Sequence, residues 1–278
     1  MTSDNLLALK GITKEYKEFR LGPLDLSVPR GYVMGLVGAN GAGKTTAIKI
    51  ALGAVLPGNG SAHLIDKTRV GVVLDQPCWQ ATWRVRDLSR LLGPFYPGWD
   101  QRVFDELCEW AGVSQRLKVR EFSRGVGMKV QVAVALAHRA ELLVLDEPTS
   151  GLDPLARSEL LDKLSEFMTD ERHSVLFSTH ITTDLDRMAD LITILDAGRV
   201  IASGARDDLL EAWAMVRGGA ADLTGELRAR IRGLRQHSAG WEGLIAAADL
   251  GLCGTGVVAD TPSVEDLLVH LTKERKDA

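Results

Sequence analysis

Length, composition and charge are those of an ordinary globular protein. The chain has 278 residues, is 45% hydrophobic and 25% charged, and carries a formal net charge of −4, so no nucleic-acid partner is expected. No apolar run reaches the roughly 18 residues of a membrane span. The N-terminal residues lack a secretory signal, and the three cysteines show no metal-like spacing. We therefore expect a cytoplasmic protein with free thiols.

Residues up to about 30 show the two-residue apolar period of short strands. The apolar positions that define this period are Leu7, Leu9, Leu24, Leu26 and Val28. The pattern predicts a small antiparallel sheet at the start of the chain. Tyr16 lies in the same region, where an exposed aromatic ring either stacks on a base or simply packs against its neighbours.

A glycine-rich segment over residues 38–46 fits the pattern G-x-x-x-x-G-K-[ST]. An apolar segment typical of a buried strand precedes it, and a helical segment follows. Such a loop surrounds a polyphosphate with backbone N–H groups and a helix N-terminus, while the lysine reaches the β- and γ-phosphates and the next hydroxyl ligates Mg²⁺. The segment therefore predicts binding of a nucleoside triphosphate. The residues predicted to contact it are Gly38, Asn40, Gly41, Ala42, Gly43, Lys44, Thr45 and Thr46.

The apolar spacing becomes helical between Arg84 and Ala140, with prolines and glycines dividing the stretch. This predicts a mostly helical insertion within an α/β domain. Trp79 and Trp83, four residues apart just before it, have two possible roles. They either form an exposed docking surface for a partner or fill the core of the helical insertion.

Two further strands each end in residues suited to phosphate chemistry. Residues 142–145 are apolar and lead into Asp146 and Glu147. Asp146 is suited to hold Mg²⁺, and Glu147 to orient and deprotonate an attacking water. Residues 174–179 lead into His180, which either hydrogen-bonds the γ-phosphate or has a structural role. The alternation of strands and helices over 140–200 predicts a largely parallel sheet covered on both faces.

These motifs resemble the ATP-binding cassette (ABC) ATPases over about residues 6–210. The resemblance implies an α/β fold: a P-loop NTPase (RecA-like) core, an antiparallel β subdomain and an inserted α-helical subdomain at about 84–140. Residues 1–210 would form the nucleotide-binding domain and 211–278 a small C-terminal accessory region. Ser150–Asp153 resembles the D-loop of the family, and His180 the switch histidine. Tyr16 falls where the family places its adenine-stacking aromatic.

Two sites depart from the family pattern. Phe122–Val126 occupies the place of the Leu-Ser-Gly-Gly-Gln signature, with Arg124 for the first glycine and valine for glutamine, whereas Ser123 and Gly125 remain to contact the nucleotide. In the Q-loop, Asp75 stands where the family has glutamine, and Gln76 follows it. Both are candidate ligands of Mg²⁺.

Within the family, the chain resembles the ATPase subunits of bacterial type 2 exporters. This similarity rests on Phe95–Asp100, the Ser-Arg-Gly signature and Ser263–Leu268. It implies hydrolysis of ATP with Mg²⁺, a membrane permease on a separate chain, and a position on the inner face of the cell membrane through that permease. It also implies a second ATPase subunit, in a homodimer or a heterodimer. The alternative is a soluble ABC ATPase that works outside transport, of the cofactor-assembly type.

The sequence after about residue 210 carries fewer signals. An apolar stripe flanked by arginines predicts a helix, which either touches anionic lipid or presents a solvated charged face. Its apolar members are Leu223, Leu227, Ile231 and Leu234. The charged segment 273–278 is predicted to be a frayed tail.

Overall fold

The computed structural model describes residues 4–273, which form three β-sheets and the helices that cover them. The predicted frayed tail lies outside these residues except for Lys273, where the last helix ends. Among the residues described, no helix combines the length and apolar character that crossing a membrane requires.

Thirteen strands and nine α-helices are found in the described part of the chain. The strands are β1 (Asn5–Glu15), β2 (Arg20–Pro29), β3 (Val33–Val37), β4 (Asn59–Leu64), β5 (Val70–Val73), β6 (Leu142–Asp146), β7 (Ser174–Thr179), β8 (Leu191–Asp196), β9 (Arg199–Ala205), β10 (Trp213–Gly218), β11 (Arg232–His237), β12 (Gly240–Ala246) and β13 (Val258–Asp260). The helices are α1 (Lys44–Ala51), α2 (Val85–Leu92), α3 (Gln101–Trp110), α4 (Arg124–Ala137), α5 (Pro154–Phe167), α6 (Thr182–Met188), α7 (Arg206–Glu211), α8 (Gly225–Arg230) and α9 (Val264–Lys273).

The main sheet has the strand order β5-β6-β7-β3-β8-β9, and only β9 runs antiparallel to its neighbour. Strand β7 lies between β3 and β6. In register, Ser178 of β7 is opposite both Leu36 of β3 and Asp146 of β6. The carboxyl ends of these three strands therefore meet at one edge, where ligands bind in open α/β sheets. The predicted α/β fold with a largely parallel sheet is confirmed.

Every residue of the inner strands β3 and β6 is buried, which explains why these strands are almost continuously apolar. Successive side chains of a strand point to opposite faces, so β6 contributes to two cores. Leu143 and Leu145 pack in the core that α4, α5 and α6 also enter. Leu142 and Val144 pack in the core formed with α1 and the first antiparallel sheet.

The antiparallel sheet has the order β2-β1-β4. The five apolar residues that predicted its first two strands are all buried in the core shared with α1. Strand β2 is followed directly by β3. This sheet therefore leads the chain into the nucleotide-binding strand, as its sequence pattern predicted.

The segment between β5 and β6 carries helices α2, α3 and α4, which share a core of their own around the fully buried Phe104. Trp79 and Trp83 are partly buried and pack against that core. The structure therefore favours the core-filling role of these two tryptophans over an exposed docking surface.

The C-terminal part of the chain forms a four-stranded antiparallel sheet of order β11-β12-β10-β13. The prediction of a single helix over the stripe from Leu223 to Leu234 is wrong. Helix α8 ends at Arg230 and Leu234 lies in β11. The register of β11 against β12 shifts between Arg232 and Arg235. Gly233 lies in this shift, with a φ of 57° and a position where a Cβ would lie 2.2 Å from the carbonyl oxygen of His270. Leu227 is buried in the small core around Trp241, and its side chain is therefore not available to lipid.

Helix α6 joins the C-terminal sheet to the main sheet. Leu185 and Ala189, on and just after this helix, belong to the same core as Met215 of β10 and as Val264 and Leu267 of α9. The C-terminal region is therefore continuous with the nucleotide-binding part through a shared apolar core.

Candidate nucleotide-binding site

The glycine-rich loop links β3 to α1 with the geometry that its pattern predicts. Gly41 and Gly43 have φ values of 83° and 110°, in the left-handed region that favours glycine. Helix α1 then begins at Lys44, whose side chain is buried. Its Nζ donates hydrogen bonds to the carbonyl oxygens of Gly38 at 2.7 Å and Ala39 at 3.2 Å. The backbone at the start of the loop therefore fixes the position of the Lys44 ammonium group.

A cavity of about 380 Å³ opens over this loop. Its lining residues are Phe19, Asn40, Gly41, Gly43, Lys44, Thr45, Thr46 and Glu147. Ala42 is buried beneath the loop, and Thr45 is exposed to the cavity. The first turn of a helix leaves N–H groups without intrahelical partners, so this cavity suits a phosphate group.

Phe19 borders this cavity although the sequence did not single it out. A Cβ on Gly43 would approach its ring to 2.9 Å, so the ring lies directly against the phosphate loop. Tyr16, predicted to stack on adenine, is 48% exposed in the turn between β1 and β2. Its amide donates to the Phe19 carbonyl at 2.8 Å, and the two rings are 6.4 Å apart. The turn thus places the Phe19 ring at the cavity, whereas Tyr16 lies beside Phe19 and does not line that cavity.

The Glu147 carboxylate lies between the two other predicted catalytic residues. Its Oε1 is 3.0 Å from Lys44 Nζ, and its Oε2 is 2.7 Å from Nδ1 of His180. The contact with Lys44 is an ion pair rather than a hydrogen bond, and Oε1 is a buried oxygen without a hydrogen-bond partner. The backbone of Glu147 has a φ of 53°, unusual for a residue other than glycine. Such strain is typical of sites where a side chain must be aimed.

Ser178, which no sequence motif singles out, bonds the Asp146 carboxylate and the backbone amide of Glu147. Its hydroxyl donates to Asp146 Oδ1 at 2.6 Å and accepts a bond from the Glu147 amide at 3.2 Å. Asp146 and Ser178 are both buried. The register of β6 against β7 places Ser178 opposite Asp146 and makes this contact possible. The sequence of one strand does not reveal its register against another.

A second buried network joins the segment after Glu147 to the helix after His180. Thr149 Oγ1 donates to Asp184 Oδ2 at 2.6 Å, and Arg157 Nε donates to Asp184 Oδ1 at 2.7 Å. The Asp184 carboxylate is buried, and leaving it without partners would be costly. Its bonds to Thr149 and Arg157 therefore link the segment after Glu147 to the helix after His180.

The Q-loop residues lie away from the phosphate loop. Asp75 and Gln76 line a separate cavity of about 270 Å³ beside the signature helix. The Asp75 carboxylate is engaged by the guanidinium of Arg124. The buried amide of Gln131 holds the start of this loop, since it accepts from the Leu74 amide at 3.0 Å and donates to the Leu74 carbonyl at 2.9 Å. The structure therefore gives Asp75 a partner other than a metal ion.

The signature residues start helix α4. The Ser123 hydroxyl accepts a bond from the amide of Val126 at 3.3 Å and so caps the helix. At Gly125, a Cβ would meet nothing nearer than 3.8 Å, and the residue is partly exposed. The Arg124 side chain turns back within its own chain, where Nε donates to the carbonyl of Ser150.

Helix α4 ends at a pair of stacked aromatic rings. His138 caps the helix, and its ring stacks on that of Tyr96 with centroids 4.1 Å apart. Burial lowers the pKa of His138, while a bond to the backbone at Thr68 opposes this effect. Burial also raises the pKa of Tyr96. Both rings are therefore held in their neutral forms at the far end of the signature helix.

The oxygen groups at the site fit Mg²⁺ bound together with a nucleotide. No cluster of three or more acidic, histidine or cysteine residues suited to a metal occurs in the described part of the chain. Mg²⁺ bound to a nucleotide needs no such cluster, since it commonly uses one or two protein oxygens besides phosphates and water. Asp146 and the Thr45 hydroxyl supply oxygens of this kind.

Comparison with known proteins agrees with the geometry. The sequence model of a family described as ABC transporter matches residues 21–150. A Nod factor export ATP-binding protein I from Cupriavidus pinatubonensis is 33% identical over 74% of this chain and 68% of its own length. A daunorubicin resistance ATP-binding protein from Streptomyces coeruleorubidus is also 33% identical, over 74% of this chain and 70% of its length.

A solved structure shares the fold. It is described as an ATP-binding subunit of an ABC transporter and is 28% identical to this chain. Its TM-score is 0.64, and the match covers 73% of this chain and 91% of that one. Together with the motifs and their arrangement at one sheet edge, these similarities show that the chain belongs to the ABC transporter family, as an ATP-binding subunit and ATPase.

Proposed function

We propose that this chain powers export through a separate membrane permease by hydrolysing ATP at a site shared between two ATPase subunits. The observation that carries the proposal is the placement of Glu147, whose two carboxylate oxygens lie at Lys44 and at His180. A general base must lie within hydrogen-bonding reach of the attacking water. Both neighbours hold this carboxylate beside the phosphate loop, where such a water would attack. The relatives named for Nod factor export and daunorubicin resistance support the direction of transport.

The arrangement suggests a role for each side chain. Lys44 and the N-terminus of α1 bind the phosphates of ATP, with the rest of the segment 38–46 around them. Glu147 exchanges its contact with Lys44 for one with the attacking water and accepts its proton. His180, which holds the other carboxylate oxygen, keeps Glu147 oriented and would contact the γ-phosphate as the family resemblance implies.

Thr45 and Asp146 would hold Mg²⁺ in this site. Of the two Q-loop candidates, Asp75 is engaged by Arg124, so Gln76 is the one that would complete the oxygen ligands. Mg²⁺ neutralises charge that develops on the phosphates during transfer. Ser178 fixes the orientation of Asp146 through its 2.6 Å bond, so the Asp146 carboxylate is already in place before the metal arrives.

A second subunit completes the site. Ser123 and Gly125 are accessible at the start of α4, but neither lines the cavity over this chain's own phosphate loop. Head-to-tail docking of two subunits would bring Ser123 and Gly125 of each to the nucleotide of the other. Completing a phosphoryl-transfer site in trans increases turnover by roughly 10³–10⁵ in analogous NTPases. The free subunit is therefore expected to be nearly inactive, and the permease would hold the pair at the inner face of the membrane.

Light scattering on purified Glu147→Gln protein tests the shared site. Blocking hydrolysis should trap the ATP-bound pair, so the mass should double when Mg-ATP is added. A Lys44→Ala, Glu147→Gln double variant is the control, and it should remain monomeric because it loses its phosphate contacts. A monomer that binds ATP would contradict the homodimer and leave completion of the site to a different ATPase subunit.

Co-purification tests the permease. A tagged chain, expressed in its own host and extracted in mild detergent, should be recovered with a protein that spans the membrane several times. Recovery with water-soluble partners alone would contradict the transport role and support the cofactor-assembly alternative.

A further inference from the structure

The two departures from the family pattern meet in space. Asp75 replaces the Q-loop glutamine and Arg124 replaces a signature glycine, 49 positions later in the chain. The guanidinium of Arg124 forms an ion pair with the Asp75 carboxylate. Neither replacement is explained alone. Asp75 by itself would add an unpaired carboxylate to the Q-loop, and Arg124 by itself would add a bulky cation to the signature. Together they neutralise each other.

Arg124 also contacts a third segment. Its Nε donates to the carbonyl of Ser150, which lies in the loop that follows β6 and Glu147. The arginine stem lies across Gly151, where a Cβ would be 3.1 Å from Nε and where φ is 69°. A side chain at Gly151 would therefore disturb this contact. The guanidinium thus joins the start of α4, the Q-loop and the D-loop.

The neighbouring signature residues lie on either side of Arg124 in the chain. Ser123 caps α4 immediately before Arg124, and Gly125 follows it. Because Arg124 lies between them, fixing its side chain restrains the backbone that carries the Ser123 side chain and the Gly125 amide. Preorganised donors bind a phosphate better than mobile donors, since no ordering is needed when the ligand arrives.

We propose that Arg124 is a positioning residue, which acts through Asp75 and the Ser150 carbonyl to hold the signature segment in the orientation that meets the partner's nucleotide. The proposal rests on the shared site proposed above. It differs from a direct phosphate contact by Arg124, because such a contact would require the guanidinium to leave Asp75.

Hydrogen exchange of the nucleotide-free full chain tests the contact without any dimer. The informative amides are those of Val126, Gly127 and Leu152, each of which is hydrogen-bonded near Arg124. Asp75→Asn should speed their exchange by about threefold, as expected for a partly exposed ion pair. Arg124→Gln should speed it by about tenfold, because it also removes the bond to Ser150. The double variant should match Arg124→Gln alone.

The matched control is Asp260→Asn, which breaks an ion pair with Arg217 of similar exposure in the C-terminal sheet. It should leave the exchange of these three amides unchanged. Unchanged exchange in Asp75→Asn and Arg124→Gln would overturn the proposal, as would effects of the two substitutions that multiply in the double variant.

ATP-driven dimerisation in the Glu147→Gln background tests the consequence. Asp75→Asn and Arg124→Gln should each raise the ATP concentration for half-maximal dimer formation, by about threefold and about tenfold. ATP affinity of the monomer should stay the same. A lower ATP requirement in Asp75→Asn would overturn the proposal, since it would mean that the released arginine binds phosphate. If Glu147→Gln itself forms no dimer, the proposed shared site fails, while the exchange measurement still decides the role of Arg124.

Discussion

The phosphate-loop half of the site and the signature half differ in how their charges are placed. Around the phosphate loop, the side chains of Lys44 and Glu147 are only 5% and 14% exposed. At the signature, Arg124 and Asp75 are 38% and 47% exposed. Charges interact more strongly where water is excluded, so the first half is preorganised within one chain. The second half remains open to a partner surface.

This difference explains where the sequence departs from its family. A change at Lys44 or Glu147 would leave a buried charge without its partner, which is strongly unfavourable. An exposed ion pair contributes little to stability, so residues at the signature can be exchanged as a pair. Both departures in this chain occur in the open half. Three substitutions or conditions test the contrast, beginning with the largest expected effect.

Ser178→Ala tests the enclosed half. It removes the hydroxyl that bonds Asp146 and the Glu147 amide, so kcat of the complete ATPase assembly should fall between about tenfold and a hundredfold. The KM for ATP should change little, because the hydroxyl orients the carboxylates rather than the nucleotide. Steady-state phosphate release measures both values.

Ser165→Ala is the matched control for this serine. Its hydroxyl donates to the Leu161 carbonyl within α5, away from the site. The control should keep the kcat of the unsubstituted protein. If Ser178→Ala were equally active, the contrast between an enclosed and an open half would lose its main support.

Phe19→Ala tests the wall of the phosphate cavity. Loss of the ring that lies against Gly43 should weaken ATP binding by about tenfold, with Phe19→Tyr close to the unsubstituted protein. Titration calorimetry of the monomer measures the affinity. Tyr16→Ala should act separately through the adenine. Unchanged affinity in Phe19→Ala would show that the ring packs against the loop without contributing to ATP binding.

The pH dependence of stability tests the C-terminal end of α4, the helix that begins at the signature. His138 caps this end. Burial lowers the pKa of His138 below 6.5, so the unfolded chain binds a proton more readily than the folded one. The stability that neutral His138 contributes is complete above pH 6.5 and is lost as the pH falls below it. The loss should reach no more than about 1.4 kcal/mol by about pH 5.5.

Urea denaturation between about pH 8 and pH 5.5 measures this effect, with His138→Gln expected to flatten the profile. His63→Gln is the control, because His63 is exposed on β4 and its removal should leave the profile unchanged. A profile for His138→Gln that still fell in the same window would assign the effect to another group.

The sequence predicted the parts of the site that are local in the chain. The segment 38–46, Asp146, Glu147 and His180 each follow an apolar strand, and parallel strands bring their ends to one edge. Ser178 and Phe19 were missed because their roles come from register and from a turn that folds back over the loop. These are tertiary contacts, to which no short pattern corresponds.

The fold shows the same limit. Strands β1 and β2 were predictable because their alternating residues bury one face. The stripe from Leu223 to Leu234 has helical spacing but is divided by Gly233, whose close approach to His270 depends on α9. Tertiary packing overrode the local pattern there. The pairing of Asp75 with Arg124 is likewise not visible in a local pattern, because 49 positions separate the two residues.

The apolar core that α6 shares with the C-terminal sheet limits how this protein can be engineered. Removing the chain after about residue 210 would uncover Leu185 and Ala189 on the segment that follows His180. The shortened protein would carry a new apolar patch, which favours aggregation. Chimeras that exchange the C-terminal region between related ATP-binding subunits should therefore carry α6 along with it, as a single transplantable unit.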